Sequence, residues 1–321
     1  MDLNNPIGIK SLNPLQKPFI MNPFRFVIPV DQGATRGVSV GGSLNGGADT
    51  NIMEYVTIAT LGNATDFGDR TIGGGALSHG ASSETRGVFF GGFPSGSNSN
   101  VIDYITVLTV GNATDFGDLG VATRGVSALS NLTRGVAAGG YSTLISNVIS
   151  YVTIASTGNA TDFGDLITAT YALEGMNNLT RGVWGGIHAS GQPEISYVTI
   201  ATTGNATDFG DLTFTPTDCA GSCNSETRGM VVGGNSYSTR MDYITIATIG
   251  NATDFGDLSD GANSGIMGSN SFTRGIFMGG ARTGGNTVTI DYVTIATTGN
   301  ATDFGDLAVA RGEGSGCQDG L

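Results

Sequence analysis

Apolar and polar positions along this chain fall into a pattern that returns every 46 to 50 residues. Each return opens with Thr-Arg-Gly, at Thr35, Thr85, Thr133, Thr180, Thr227 and Thr273. A short apolar run follows and closes on glycines, as in Val88-Phe89-Phe90-Gly91-Gly92, which reads as a buried strand ended by a turn. Next comes a stretch that differs between copies: residues 43–51, 93–100, 141–147, 187–194, 235–240 and 281–289. Strict alternation then sets in. In the first copy Val56 and Ile58 face one way while Tyr55, Thr57 and Ala59 face the other, as in a strand with two unlike faces. Gly-Asn predicts a tight hairpin, because both residues tolerate positive φ. Ala-Thr-Asp-Phe-Gly-Asp-Leu predicts a third strand with one large anchor, Phe67 in the first copy. A fourth strand, rich in glycine and serine, leads into the next Thr-Arg-Gly. Within this pattern the octet Gly-Asn-Ala-Thr-Asp-Phe-Gly-Asp recurs unchanged from Gly62, Gly111, Gly158, Gly204, Gly250 and Gly299.

Four short strands per unit, no helical period and six units predict an all-β chain folded as a six-bladed β-propeller with four-stranded blades. One such blade cannot cover its own faces, so its apolar residues must be buried against two neighbours. The chain runs fifteen residues past its last octet, Leu307–Leu321, as long as the linker Leu258–Phe272. The spacing therefore favours residues 308–321 as the missing fourth strand of the first blade, which leaves no open edge in the ring. A competing assignment gives that place to residues 24–32. The propeller is expected to span residues 35–321.

Residues 1–34 stand outside the repeat. Five prolines, Pro6, Pro14, Pro18, Pro23 and Pro29, forbid a long helix or a central strand there. This part reads as an extended arm with Phe19, Phe24 and Phe26 as anchors, lying along its own propeller or docked on another subunit or assembly.

Composition changes this picture little. The 53 glycines would suggest low complexity if they lacked a long period; here they mark turns repeated in space. The net charge is −13, which argues against a nucleic-acid partner. The arm carries Lys10, Lys17 and Arg25 against Asp2 and Asp31, a net of +1 that leaves −14 on the rest. No apolar run is long enough for a membrane-spanning helix, and Met1–Pro6 lacks the features of a signal peptide, so no membrane insertion and synthesis in a cytoplasm are expected. Three cysteines, Cys219, Cys223 and Cys317, give an odd count without a framework and read as reduced, small apolar fillers rather than metal ligands.

The units resemble kelch-type blades, which carry an apolar strand ending in paired glycines, a tyrosine-bearing strand and an outer aromatic. In the second unit these are Phe89-Phe90-Gly91-Gly92, Tyr104 and Phe116, with phenylalanine where tryptophan is more usual. The repeats are also similar to those of proteins encoded by tailed phages of marine bacteria, cyanophages included. That resemblance implies a virion structural or tail-associated protein, located on the virion and bound to other virion proteins through residues 1–34.

Candidate chemistry is thin. Asp-Phe-Gly occurs six times without the glycine loop or catalytic loop of a kinase. Asn-Ala-Thr matches the glycosylation sequon, but asparagine at a hairpin tip has a local structural use. The octet offers oxygen ligands, yet lacks the spacing of an EF-hand loop, and calcium binding stays open. Arg36, Arg86, Arg134, Arg181, Arg228 and Arg274 recur in step with Asp66, Asp115, Asp162, Asp208, Asp254 and Asp303. This predicts a ring of structural Arg–Asp contacts within or between blades. His79 and His188 are isolated, and no nucleophile triad is recognisable, so no cofactor and no catalytic residue are expected. Function is placed on the face that holds the divergent loops, with Phe93, Tyr141, His188 and Tyr237 as candidate recognition residues. The leading expectation is a non-enzymatic adaptor or adhesin. A module binding a host-surface glycan or protein comes second, and an enzyme acting on polysaccharide third.

Overall fold

The computed structural model describes residues 35–74, 80–187, 192–215, 221–234 and 237–320. Six antiparallel four-stranded sheets stand in a ring, making a six-bladed β-propeller. Blade 2 shows the plan. Its strands are Gly80–Ser82, Arg86–Gly92, Ser99–Thr106 and Thr114–Thr123, hydrogen-bonded in that order. The strand preceding Thr-Arg-Gly is innermost and the one carrying Asp-Phe-Gly is outermost. Gly80–Ser82, Ser127–Ser130, Glu174–Asn177, Gly221–Asn224, Met267–Asn270 and Ser315–Gln318 follow one another around the axis, each touching the next.

Ring closure follows the C-terminal assignment. Ser315–Gln318 pairs antiparallel with Arg36–Leu44, with Val38 opposite Cys317. The alternative residues 24–32 lie outside the described part, but the place beside Arg36–Leu44 is taken. A small device at each inner hairpin confirms the equivalence. Ser83, Asn131, Asn178, Ser225 and Ser271 each accept the N–H of the arginine three residues on. In blade 1 Asp319 does the same across the closure, accepting from Thr35 N at 2.7 Å and Arg36 N at 2.6 Å.

The alternation along the tyrosine strand decides what is buried. Val56 and Ile58 are buried while Thr57 and Ala59 are exposed. Six apolar clusters result, one at each interface between neighbouring blades; Phe90 and Phe116 of blade 2, for example, pack with Ala137 and Val152 of blade 3. Full burial of side chains this size stabilises by roughly 1.5–3 kcal/mol each, so the interfaces, not the single sheets, hold the molecule together.

Asp-Phe-Gly is a β-bulge. In blade 1 Met53 pairs with Gly68 and Glu54 with Asp66, leaving Phe67 as the extra residue. The same shift occurs in all six blades. A bulge re-aims a side chain; here it turns Phe67 into the interface and edge-on to Tyr55, 6.1 Å between centroids.

Two expectations about the octet need correction. The tight turn precedes Gly-Asn: Thr60 N–H donates to Thr57 C=O. Gly-Asn-Ala then runs along the outer strand of the preceding blade. Gly111 N–H donates to Phe67 C=O at 2.7 Å and Ala113 N–H to Asp69 C=O at 2.8 Å. The Asn112 side chain accepts from Asp69 N–H at 3.1 Å, so the asparagine acts on the neighbouring blade, not on its own turn. The clasp recurs around the ring and closes where Asn63 accepts from Asp306 N–H. At Gly68, with φ +134°, a Cβ would stand 2.6 Å from the Gly111 carbonyl oxygen; only glycine allows this approach.

The ring of arginines also differs from expectation. Among the described residues no ion pair joins any Thr-Arg-Gly arginine to an octet aspartate. Arg36 instead lies over the Tyr55 ring, 4.2 Å from its centroid, and donates to the Val107 carbonyl of blade 2 at 3.0 Å. Its five counterparts repeat this, ending with Arg274 on the Ile58 carbonyl of blade 1. A planar guanidinium suits both contacts. Asp66 and its counterparts are exposed.

Candidate binding site between blades 2 and 3

Antiparallel blades put the Gly-Asn connections on one face and the divergent loops and inter-blade linkers on the other. On the divergent side, the residue just before each strand tyrosine decides how an interface is filled. These residues are Glu54, Asp103, Ser150, Ser196, Asp242 and Asp291. All four carboxylates are buried, at 2 % exposure or less, and each is held by the linker of the preceding blade. Thr71 donates through its N–H (3.1 Å) and hydroxyl (2.8 Å) to Asp103. Thr213 does so to Asp242, while the Ser259 hydroxyl donates to Asp291 and the Ala308 N–H to Glu54.

Three of these carboxylates also meet a buried arginine. Arg70 reaches Asp103 at 2.9 Å, Arg282 reaches Asp291 at 2.6 Å, and Arg311 reaches Glu54 at 3.0 Å. Burial pushes the Arg311 guanidinium down to about 10, with Glu54 opposing the shift. Buried Arg–carboxylate pairs thus exist at interfaces, made by other residues than the repeat suggested. The signal was present: Arg70 follows its octet where leucine follows the other five.

Between blades 2 and 3 the three divergent-side positions hold no aromatic ring, no arginine and no carboxylate. Leu119 stands where Arg70 stands one interface earlier, Ala137 where Phe89 stands, and Ser150 where Asp103 stands. What remains is a cavity of about 160 Å³ lined by these three residues together with Val121, Thr123 and Val148. Val121 is 62 % exposed and Val148 46 %, so the cavity reaches the surface. Exposed Leu144 and Ile145 stand in the loop that also supplies Ser142 and Ser146 to the lining. Among the described residues, the large apolar side chains exposed on the divergent side are Val121, Leu144, Ile145 and Val148 here, Ile167 against blade 4 and Tyr237 on blade 5. Thr123 is 92 % buried, and among the described residues its hydroxyl has no partner.

Two of the candidate recognition residues meet beside this cavity. Arg124 and Tyr141 exchange backbone hydrogen bonds at 3.1 and 2.7 Å. The Arg124 guanidinium lies 4.1 Å from the Phe93 centroid and 5.0 Å from that of Tyr141. Tyr171 packs on Tyr141 at 5.9 Å. Phe93 and Tyr141 are therefore half-buried rather than free. Among the described residues the Arg124 guanidinium has neither a hydrogen-bond acceptor nor a carboxylate partner. Tyr237 is exposed and lies elsewhere, on blade 5. His188, His79 and Cys219, with the arm residues Phe19, Phe24 and Phe26, lie outside the described part.

Other groups carry less. Cys223 and Cys317 are buried in two interface clusters, and burial pushes both thiols up. Among the described residues no group of three or more His, Cys, Asp or Glu side chains could hold a metal ion. No described helix is long and apolar enough to cross a membrane. On blade 4, Glu194, Asp208 and Asp211 line one shallow depression. Desolvation raises the Glu194 carboxyl above its ordinary range; the two aspartates add to this and the Thr168 hydroxyl opposes it.

Compared with known proteins, the chain matches no family model and no curated sequence. Its class rests on its own geometry, which is that of a six-bladed β-propeller.

Proposed function

We propose that this propeller is a non-enzymatic recognition module, an adaptor or adhesin that binds its partner on the divergent face. The observation that carries this reading is the open, apolar interface between blades 2 and 3. Neighbouring interfaces fill the same space with large or paired side chains. An apolar pocket with a few convergent polar groups is the ordinary form of a binding site. The wider setting we propose is a virion, with residues 1–34 joining other virion proteins. The similarity of the repeats to those of marine tailed phages supports it, as does the mildly basic arm on an acidic body. The glycine pairs, strand tyrosines and outer phenylalanines support a kelch-like classification of the blades.

Two measurements test this. Deleting residues 1–30 should leave a folded protein that no longer joins the particle; retained incorporation removes the anchoring role. Fluorescently labelled full-length chain should bind host cells or purified virion proteins, and binding to neither removes the recognition role.

One observation favours a hydrolytic reading: the depression beside Glu194, whose raised pKa suits a general acid. Asp208 and Asp211, however, occupy octet positions that recur in every blade, so only Glu194 is particular to this place. Release of reducing ends from a polysaccharide panel, abolished by Glu194→Gln, would establish that reading over the first.

A further inference from the structure

We infer that the cavity between blades 2 and 3 receives one aliphatic side chain of a partner polypeptide, and that Arg124 pairs with a carboxylate next to it on that segment. The inference rests on the recognition reading above and names its ligand.

Size and lining select the anchor. A cavity of about 160 Å³ with walls from Leu119, Val121, Ala137 and Val148 has room for a branched aliphatic or a benzene-sized group. The adjoining loop adds two exposed aliphatic side chains, Leu144 and Ile145, which suit the apolar core of a protein interface. A sugar would leave them facing hydroxyl groups. The buried Thr123 hydroxyl, which has no partner among the described residues, is placed to bond a backbone group of the incoming segment.

Charge selects the neighbour. The body of the protein is strongly acidic, and the other described arginines each donate to a carbonyl or meet a carboxylate. Arg124 is held between two aromatic rings with its hydrogen-bond donors unspent. A guanidinium fixed in this way is pre-organised for a carboxylate.

The probe is N-acetyl-L-leucine, which carries an isobutyl group and a carboxylate, titrated into full-length protein with labelled methyl groups. The methyl signals of Leu119, Val121, Val126 and Val148 should shift together and saturate at a roughly millimolar constant. N-acetyl-L-leucinamide, which lacks the charge, should bind about three- to fivefold more weakly, and Arg124→Gln should weaken the acid by a similar factor. Ala137→Leu should abolish the shifts by filling the cavity. If that variant does not fold, Arg124→Gln alone carries the test, since among the described residues its guanidinium has no hydrogen-bond or ion-pair partner to lose. Absence of shifts at these methyls overturns the inference. So does equal binding of acid and amide, or saturation by N-acetylneuraminate instead of N-acetyl-leucine. The wider reading fails separately: if Ala137→Leu still binds host cells or virion proteins, recognition survives and only this site assignment falls.

Discussion

The interface between blades 1 and 2 and the one between blades 2 and 3 are built on the same backbone and finished differently. Both carry the clasp: Asn112 on Asp69 N–H in the first, Asn159 on Asp118 N–H in the second. Both carry the arginine tie, Arg36 to Val107 and Arg86 to Ile154. They part on the divergent side. The first holds Arg70, Phe89 and Asp103, all at most 3 % exposed; the second holds Leu119, Ala137 and Ser150 around a cavity. Backbone clasps hold the ring while side-chain filling is left free to vary, and a blade interface can give up its filling without giving up its place in the ring.

The largest expected effect breaks the first interface. Asp103→Ala leaves Arg70 buried and unpaired, which should cost about 3–5 kcal/mol, whereas Ser150→Ala should cost under about 1 kcal/mol. Urea unfolding of both variants measures the difference; equal costs would mean that the buried pair matters less than its geometry suggests. Replacing both partners together, Arg70→Leu with Asp103→Ser, should cost less than Asp103→Ala alone, because no charge is left stranded.

Next come the features the two interfaces share. Gly68→Ala and Gly117→Ala should each destabilise by about 2 kcal/mol or more, because each drives a Cβ into the next blade's carbonyl at a backbone angle alanine disfavours. Asn112→Ala and Asn159→Ala should each cost about 1 kcal/mol. Within each pair the costs should match; a marked inequality would show that the clasp is not equivalent at the two interfaces.

The smallest effect is a pH dependence at blade 4. The folded-state pKa of Glu194 is raised, so the folded protein holds its proton more tightly than the unfolded chain. Ionised Glu194 therefore opposes folding above the folded-state pKa, and the penalty vanishes as pH falls below the unfolded value. Glu194→Gln should be slightly more stable than the parent at pH 7, by a fraction of a kcal/mol after solvent screening, and should lose that advantage near pH 4. Denaturation at both pH values checks the sign.

Much of the architecture was legible in the sequence because the repeat is long and nearly unvaried. Six octets count the blades, and the fifteen residues after the last one supply the strand that closes them. The partners of the repeated residues were not legible. Arg36 bonds a carbonyl 71 residues away, and carbonyls are present at every position, so no pattern marks the one that is used. Aspartate was the visible partner and the wrong one. The octet asparagine likewise looked local and reaches 43 residues back. Of the site, Phe93 and Tyr141 were legible as loop residues. Arg124, Thr123, Ala137 and Ser150 were not singled out, although Ala137 stands where both neighbouring blades carry a large aromatic, Phe89 and Trp184. Reading departures from the repeat, rather than the repeat, would have found Ala137.

Among the described residues, blade 1 alone is drawn from widely separated parts of the chain, since Ser315–Gln318 completes the strands begun at Arg36. During synthesis Arg36–Leu44 is made about 270 residues before the strand that becomes its inner partner. Until Gln318 has left the ribosome it keeps a bare edge, and blade 6 keeps a bare face. Blades 2 to 5 can stack in the order of their manufacture, but the circle cannot shut. A chain cut short of Ser315 would keep five whole blades and still expose the kind of edge that draws chaperones and aggregation. The geometry of closure thereby makes one late, four-residue strand a checkpoint for every blade made before it.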